Sequence, residues 1–203
     1  MTSPSPSWSL RGQTDPGWAA AVAGRPVALL SDHAQCELKA AASAMTLLKR
    51  NPDRPGFALR LAPLIREEID HLQQVLRLLD QRGETLGRDR DNPYAAGLLR
   101  FAEGSRAKGA GHLDALLISA LIEKRSHERF EQLSRCPALA ELSAFYAALA
   151  ESEERHGDLF VDMALEVYDA DVVAGRYAEL ADFEGALIAS LPFDYRVHSG
   201  PPS

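Results

Sequence analysis

Two short strings recur along the 203-residue chain, "REEIDH" from Arg66 to His71 and "ESEERH" from Glu151 to His156. Each sets a glutamate three residues before a histidine, Glu68-x-x-His71 and Glu153-x-x-His156. Counting in steps of three and four extends both into apolar stripes. One runs Phe57, Leu61, Leu64, Glu68, His71, Val75, Leu79, the other Leu142, Tyr146, Leu149, Glu153, His156, Phe160, Met163, Val167. That period belongs to a helix with one buried face, so the acid and the imidazole interrupt a surface that should face a core. The same count through Leu30, Ala34, Glu37, Ala41, Ala44, Leu48, and through Leu113, Leu116, Ala120, Glu123, His127, Phe130, places one further Glu on each of two more stripes.

Ala and Leu dominate the composition, Val and Ile are few, and no segment alternates with period two, which favours helix throughout. Helices are predicted over residues 31–50, 55–82, 112–135 and 137–168, with shorter ones over 93–103 and 170–190. Gly83 is the expected stop of the second, and Pro63 is a possible kink within it. Glu37 and Glu68 are 31 residues apart and Glu123 and Glu153 are 30 apart, while the shift from first half to second is 86 for the single Glu and 85 for the Glu-x-x-His. This describes two related antiparallel hairpins about a pseudo-twofold axis. Roughly 30 residues join them. The expected fold is all-α: a four-helix bundle with one long crossover and accessory helices, the ferritin-like connectivity. Residues 1–203 are read as one such domain, with an irregular arm over 1–26 and a loose tail over 198–203.

Burying an unpaired carboxylate costs several kcal/mol, and four together repel one another. No matching Lys or Arg lies on the same stripes. Two divalent cations would neutralise four carboxylates, and a Glu and a His three apart on a helix can reach one metal pair. Four inward glutamates with two Glu-x-x-His pairs are the donor set of di-iron and di-manganese carboxylate bundles. Without thiolate, that set suits iron or manganese over copper(I) or an iron–sulfur cluster, and leaves zinc open. Cys36 and Cys136 are the only cysteines, and no Cys-x-x-Cys is present. A single Glu-x-x-His is a weak signal; the repetition gives it weight. Glu67, Glu151 and Glu154 fall off the stripes and are expected in solvent. His33 and His127 lie one turn from Glu37 and Glu123, where hydrogen-bonded packing is the ordinary role. Core packing is likewise the default for Tyr146.

The formal net charge of −7 argues against binding nucleic acid through bulk electrostatics, though not against a local basic patch. The N-terminal "MTSPSPSWSLRG" has no apolar signal core and no apolar run is long enough to span a bilayer. The chain is therefore expected to be cytoplasmic and free of membrane. A metal pair alone leaves iron storage, peroxide reduction, desaturation and hydroxylation all open.

Three stretches are more specific than the ligand pattern: "SDHAQCELKAAASAM" (Ser31 to Met45), "LIREEIDHLQQVL" (Leu64 to Leu76) and "ALIEKRSHERFEQL" (Ala120 to Leu133). Together they resemble the tRNA hydroxylase family called MiaE, over residues 25–170 or so. The resemblance implies a ferritin-like, non-haem di-iron monooxygenase. Such an enzyme uses dioxygen and external electrons, from a reductase or ferredoxin system, to hydroxylate the isopentenyl group of 2-methylthio-isopentenyladenosine next to the anticodon. The metal ligands it implies are Glu37, Glu68, His71, Glu123, Glu153 and His156, the six the stripes had already singled out. A tRNA partner needs cations, and the crossover offers Arg88, Arg90, Arg100, Arg106 and Lys108 among Glu84, Asp89, Asp91 and Glu103. These five are the candidate tRNA contacts, expected to flank the mouth of a pocket; Arg125 and Arg129 follow the third glutamate, with a solvated surface as their ordinary role. The alternatives are a di-iron oxidase or oxygenase of a small molecule, and a non-catalytic iron-binding protein.

Overall fold

Helix begins earlier than the expected arm allows. In the structure, a computed structural model that describes residues 8–54, 56–104 and 111–202, α1 spans Trp18–Val22 and α2 spans Pro26–Arg50. Pro26 starts α2 at a position where a missing N–H costs nothing. Trp18 and Val22 are fully buried, so part of the predicted irregular arm is an accessory helix anchored by its apolar side chains. The tail departs from expectation in the same way. His198 and Ser199 are buried, Gly200 N–H donates to Pro192 O at 3.0 Å, and the Trp18 indole donates to Ser199 Oγ at 3.1 Å.

The remaining elements are α3 (Phe57–Asp80), α4 (Pro93–Gly104), α5 (Gly111–Ser134), a 3₁₀ turn (Pro137–Leu142), α6 (Ser143–Leu165) and α7 (Ala170–Ser190). There is no strand among the described residues. Pro63 sits inside α3, which stays one helix. Gly83 takes a φ of 72° that side chains resist, and this closes the end of α3: Gly83 N–H donates to Asp80 O and Glu84 N–H to Leu79 O. The expected helix over 137–168 divides instead. Leu139 has non-helical dihedrals, and Ser143 Oγ donates to Ser134 O at 2.6 Å across the corner between α5 and α6.

The most extensive pairings are α2 with α3 and α5 with α6, the two expected hairpins. The segment between them carries α4, which packs on α7 and α5. The apolar interior is divided in two. One cluster holds Leu47, Leu61, Leu64, Leu116, Leu121, Phe160 and Met163; the other holds Leu30, Ala34, Val75, Leu79, Phe130, Tyr146 and Leu149. Each long helix passes from one cluster to the other, and the residues at each crossing are Glu37, Glu68 with His71, Glu123, and Glu153 with His156. A polar belt thus cuts the bundle at mid-length.

Candidate metal centre

All six belt residues are buried, none more than 7% exposed. Their donor atoms form two quartets, Glu37–Glu68–His71–Glu153 and Glu68–Glu123–Glu153–His156, within each of which the atoms lie within 4.8 Å of one another. The quartets overlap at Glu68 and Glu153. Every residue predicted from the stripes is in one of them.

These groups satisfy each other only in part. Both carboxylate oxygens of Glu68, Glu153 Oε1 and the Nδ1 atoms of His71 and His156 are buried without a hydrogen-bond partner. His156 Nδ1 approaches Glu68 Oε1 to 2.8 Å without hydrogen-bond alignment. His71 Nδ1 stands 3.6 Å from Glu37 Oε2 and 3.8 Å from Glu153 Oε1. Buried polar atoms are nearly always paired, so this concentration of lone pairs fits a pair of divalent cations.

The electrostatics agree. Burial pushes Glu123 up to about 7; a hydrogen bond with Glu153 opposes this, and the charges of Glu68 and Glu37 reinforce it. Burial and the charge of Glu123 push Glu153 well above the usual carboxylate range. Burial opposes the charge on His71, but Glu37 and Glu68 outweigh it and raise the imidazole to about 10. Glu37 goes the other way. Burial would raise it, yet His33 and His71 hold it well below its ordinary range.

Outer partners orient the belt. His33, fully buried, sets Nε2 2.6 Å from Glu37 Oε1 and stacks on Tyr146, ring centroids 5.6 Å apart. Glu67, expected in solvent, is only 37% exposed and lies 3.0 Å from His156 Nε2. Burial disfavours its charge, but His156 and Arg155 prevail and lower it. A carboxylate behind a ligating imidazole fixes the tautomer, leaving Nδ1 free for the metal. His127 turns away, Nδ1 lying 2.8 Å from Ala150 O. On α6, Gly157 beside His156 allows close approach of α5: a Cβ there would meet Lys124 Cγ at 2.9 Å.

A cleft between α2 and α5, roofed by α4, leads to the belt. Its outer chamber, about 610 Å³, is lined by Lys39, Leu47, Arg50, Leu99, Ala115 and Ile118 among others. Its inner chamber, about 100 Å³, is lined by Cys36, Ala40, Ala44, Tyr94, Phe160, His198 and Glu123. Lys39, Ser43, Ala95, Ser119 and Ile122 belong to both.

The family described as "tRNA-(MS[2]IO[6]A)-hydroxylase (MiaE)" matches residues 6–199. The chain belongs to the MiaE family. Two curated MiaE relatives bear the name tRNA 2-(methylsulfanyl)-N(6)-isopentenyladenosine(37) hydroxylase. The one from Pseudomonas putida is 35% identical over 93% of this chain and 91% of its own. The one from Salmonella typhimurium is 29% identical over 86% and 81%. A solved structure, "Protein 43 with aldehyde deformylating oxygenase activity" from Synechococcus, superposes with a TM-score of 0.85 at 34% identity, covering 96% of this chain and 97% of that one. The fold is ferritin-like, as the connectivity predicted.

The candidate tRNA contacts are less uniform. Arg88 and Arg90 are exposed on the segment before α4, which lies along α2: Gln35 donates to Gly87 O at 2.8 Å and Gly87 N–H to Ser31 Oγ at 2.9 Å. Arg90 pairs with Asp194 at 3.0 Å. Arg100 is exposed on α4, next to Leu99 of the outer chamber. Arg106 and Lys108 lie outside the described residues. Lys39 and Arg50, at the cleft itself, were not singled out from the sequence, because isolated cations on an amphipathic helix look like any solvated face. Arg125 and Arg129 are corrected outright. Both are buried. Arg125 grips Glu184 through two 2.8 Å bonds, and Arg129 donates to the carbonyls of Val197 and Ser199. No helix among the described residues is long and apolar enough to cross a membrane.

Proposed function

We propose that this protein hydroxylates the isopentenyl group of 2-methylthio-isopentenyladenosine in tRNA, with two iron ions held by Glu37, Glu68, His71, Glu123, Glu153 and His156. The observation that carries the reading is the pair of overlapping, unsatisfied Glu/His quartets with Glu123 on the wall of an apolar chamber, in a chain whose curated relatives carry that name. Bound iron supplies dioxygen reduction and the removal of hydrogen from carbon. One oxygen atom of dioxygen enters the C–H bond and the other leaves as water, with two electrons from an external reductase or ferredoxin and two protons.

The chain's own residues do the positioning. Glu68 and Glu153 belong to both quartets, so each would serve both ions when the pair is bound. His33 and Glu67 hold Glu37 and His156 in orientation. The cleft brings the prenyl chain to the Glu123 side and excludes water with Ala40, Ala44, Ile122 and Phe160. Arg88, Arg90 and Arg100 hold phosphates at the mouth, joined by Lys39 and Arg50 on α2, and Arg106 and Lys108 of the same crossover are further candidate phosphate contacts. A tRNA substrate supports a cytoplasmic location.

The test is nucleoside mass spectrometry on prenylated tRNA incubated with iron-loaded protein, a reductase system and air. A gain of one oxygen on the prenylated nucleoside is expected. No gain, with turnover of an aldehyde in its place, would replace this reading by the activity named for the Synechococcus structure.

A further inference from the structure

We infer that the cleft is a two-room site whose narrow neck, formed by Ser43 of α2 and Ser119 of α5, selects the substituent carried on the adenine. The inference rests on the hydroxylase reading and goes beyond it by naming where each part of the substrate lies. The inner room measures about 100 Å³. A dry protein cavity of about 150 Å³ holds a six-carbon ring, so the inner room suits a branched five-carbon chain and little more. Ala40, Ala44 and Phe160 give it apolar walls, and Glu123 puts one wall at the belt. The outer room, about 610 Å³, lies in the range that encloses a small-molecule ligand and takes the purine. Its wall is mixed, with Leu47, Ala115 and Ile118 beside Lys39, Arg50 and Asn51.

Lys39, Ser43, Ala95, Ser119 and Ile122 line both rooms, and Ser43 and Ser119 are the two small hydroxyl residues among them, one on each facing helix. Ser119 is half-buried and Ser43 is exposed to the cleft. Both side chains are small, so a bulky residue at either position would crowd the boundary between the rooms. A chain entering the inner room leaves water for an apolar surface, so the neck converts the presence of a prenyl group into binding free energy. A purine is too large to follow, which fixes how far the substituent reaches toward Glu123.

The test uses metal-free full-length protein, so that binding is read without turnover. Two anticodon stem-loop oligonucleotides are compared by fluorescence anisotropy, one carrying isopentenyladenosine and the other plain adenosine. The natural chain should prefer the prenylated form by about tenfold or more. Ser119→Phe fills the neck and should erase the preference, read as the ratio of the two affinities on the same variant, so that any loss common to both stem-loops cancels. Ser43→Phe, at an exposed position that cannot disturb the core, should do the same. No preference in the natural chain, or a preference that survives in a folded variant, overturns the inference. The two readings fail separately. If the natural chain forms no hydroxylated nucleoside but loses its prenyl preference on Ser119→Phe, the function falls and the neck stands. If it forms product and Ser119→Phe forms as much, the neck falls and the function stands.

Discussion

The proposed metal ligands are held in protonation states that a bound metal would have to overturn. Glu123, raised to about 7 by burial, and His71, raised to about 10 by its carboxylate neighbours, both bind protons more tightly folded than unfolded. Each contributes stability to the metal-free protein at low pH. That stability is lost for Glu123 as pH climbs from about 4.5 through 7, and for His71 from about 6.5 through 10. Glu37, held low by His33 and His71, contributes above its ordinary range and loses its share only in acid. Metal held by the proposed ligands would compete with the protons on Glu123, Glu153 and His71. The gap in Tm between loaded and metal-free protein should therefore widen from pH 5.5 to 8 in scanning calorimetry; a gap that narrows would remove these residues from the metal. Glu67 belongs to the same scale. Glu67→Gln leaves the shape but weakens the carboxylate that orients His156, and should lower iron affinity about 10- to 100-fold, measured by competition with a chromophoric chelator.

Two elements, the segment before α4 and helix α5, each have their own consequence. The segment from Arg82 to Asn92 lies on α2 through Ser31, Gln35 and Lys39, which sets Arg88 and Arg90 beside one end of the cleft. Replacing Arg88, Arg90, Arg106 and Lys108 by Glu should weaken tRNA binding and flatten its salt dependence by roughly one unit of slope per lost phosphate contact. Unchanged slope in filter binding would move the tRNA elsewhere. On α5 the charged residues do the opposite of what an exposed face would do. Arg125 lies fully buried between Glu184 of α7, Glu128 and the carbonyl of Gly12, so Arg125→Ala strands the Glu184 carboxylate in the core. The expected loss is about 3–5 kcal/mol in urea titration, and Glu184→Gln in the same chain should restore part of it. The sequence could not show this, because Arg125 and Glu184 are 59 residues apart. The stripe count sees one face of α5, whereas α7, the tail and the N-terminal segment cover the other.

At the scale of the molecule, what was legible and what was not divide along the same line. The four long helices carry a repeated, local period, and period alone placed Glu37, Glu68, His71, Glu123, Glu153 and His156 on one belt. Of the pieces that close around them, α7 was legible as a helix, but α1 is too short to show a period, and residues 194–200 are held by long-range bonds such as Arg129 to Ser199 O and Val197 N–H to Asp32, which leave no periodic trace. The belt has a further consequence. It separates two apolar clusters, so each long helix is packed at both ends and interrupted at its middle by charge. Without metal, the middle is where burial stabilises least and unpaired polar atoms cost most. Chelation should speed amide hydrogen exchange most in the turns around Glu37, Glu68, Glu123 and Glu153. Amides near Leu61, Leu79, Leu117 and Phe130, deep in the two clusters, should change little while the protein stays folded. Exchange that rises evenly along all four helices would mean that the two clusters do not stand apart, and that metal stabilises the bundle as one cooperative unit.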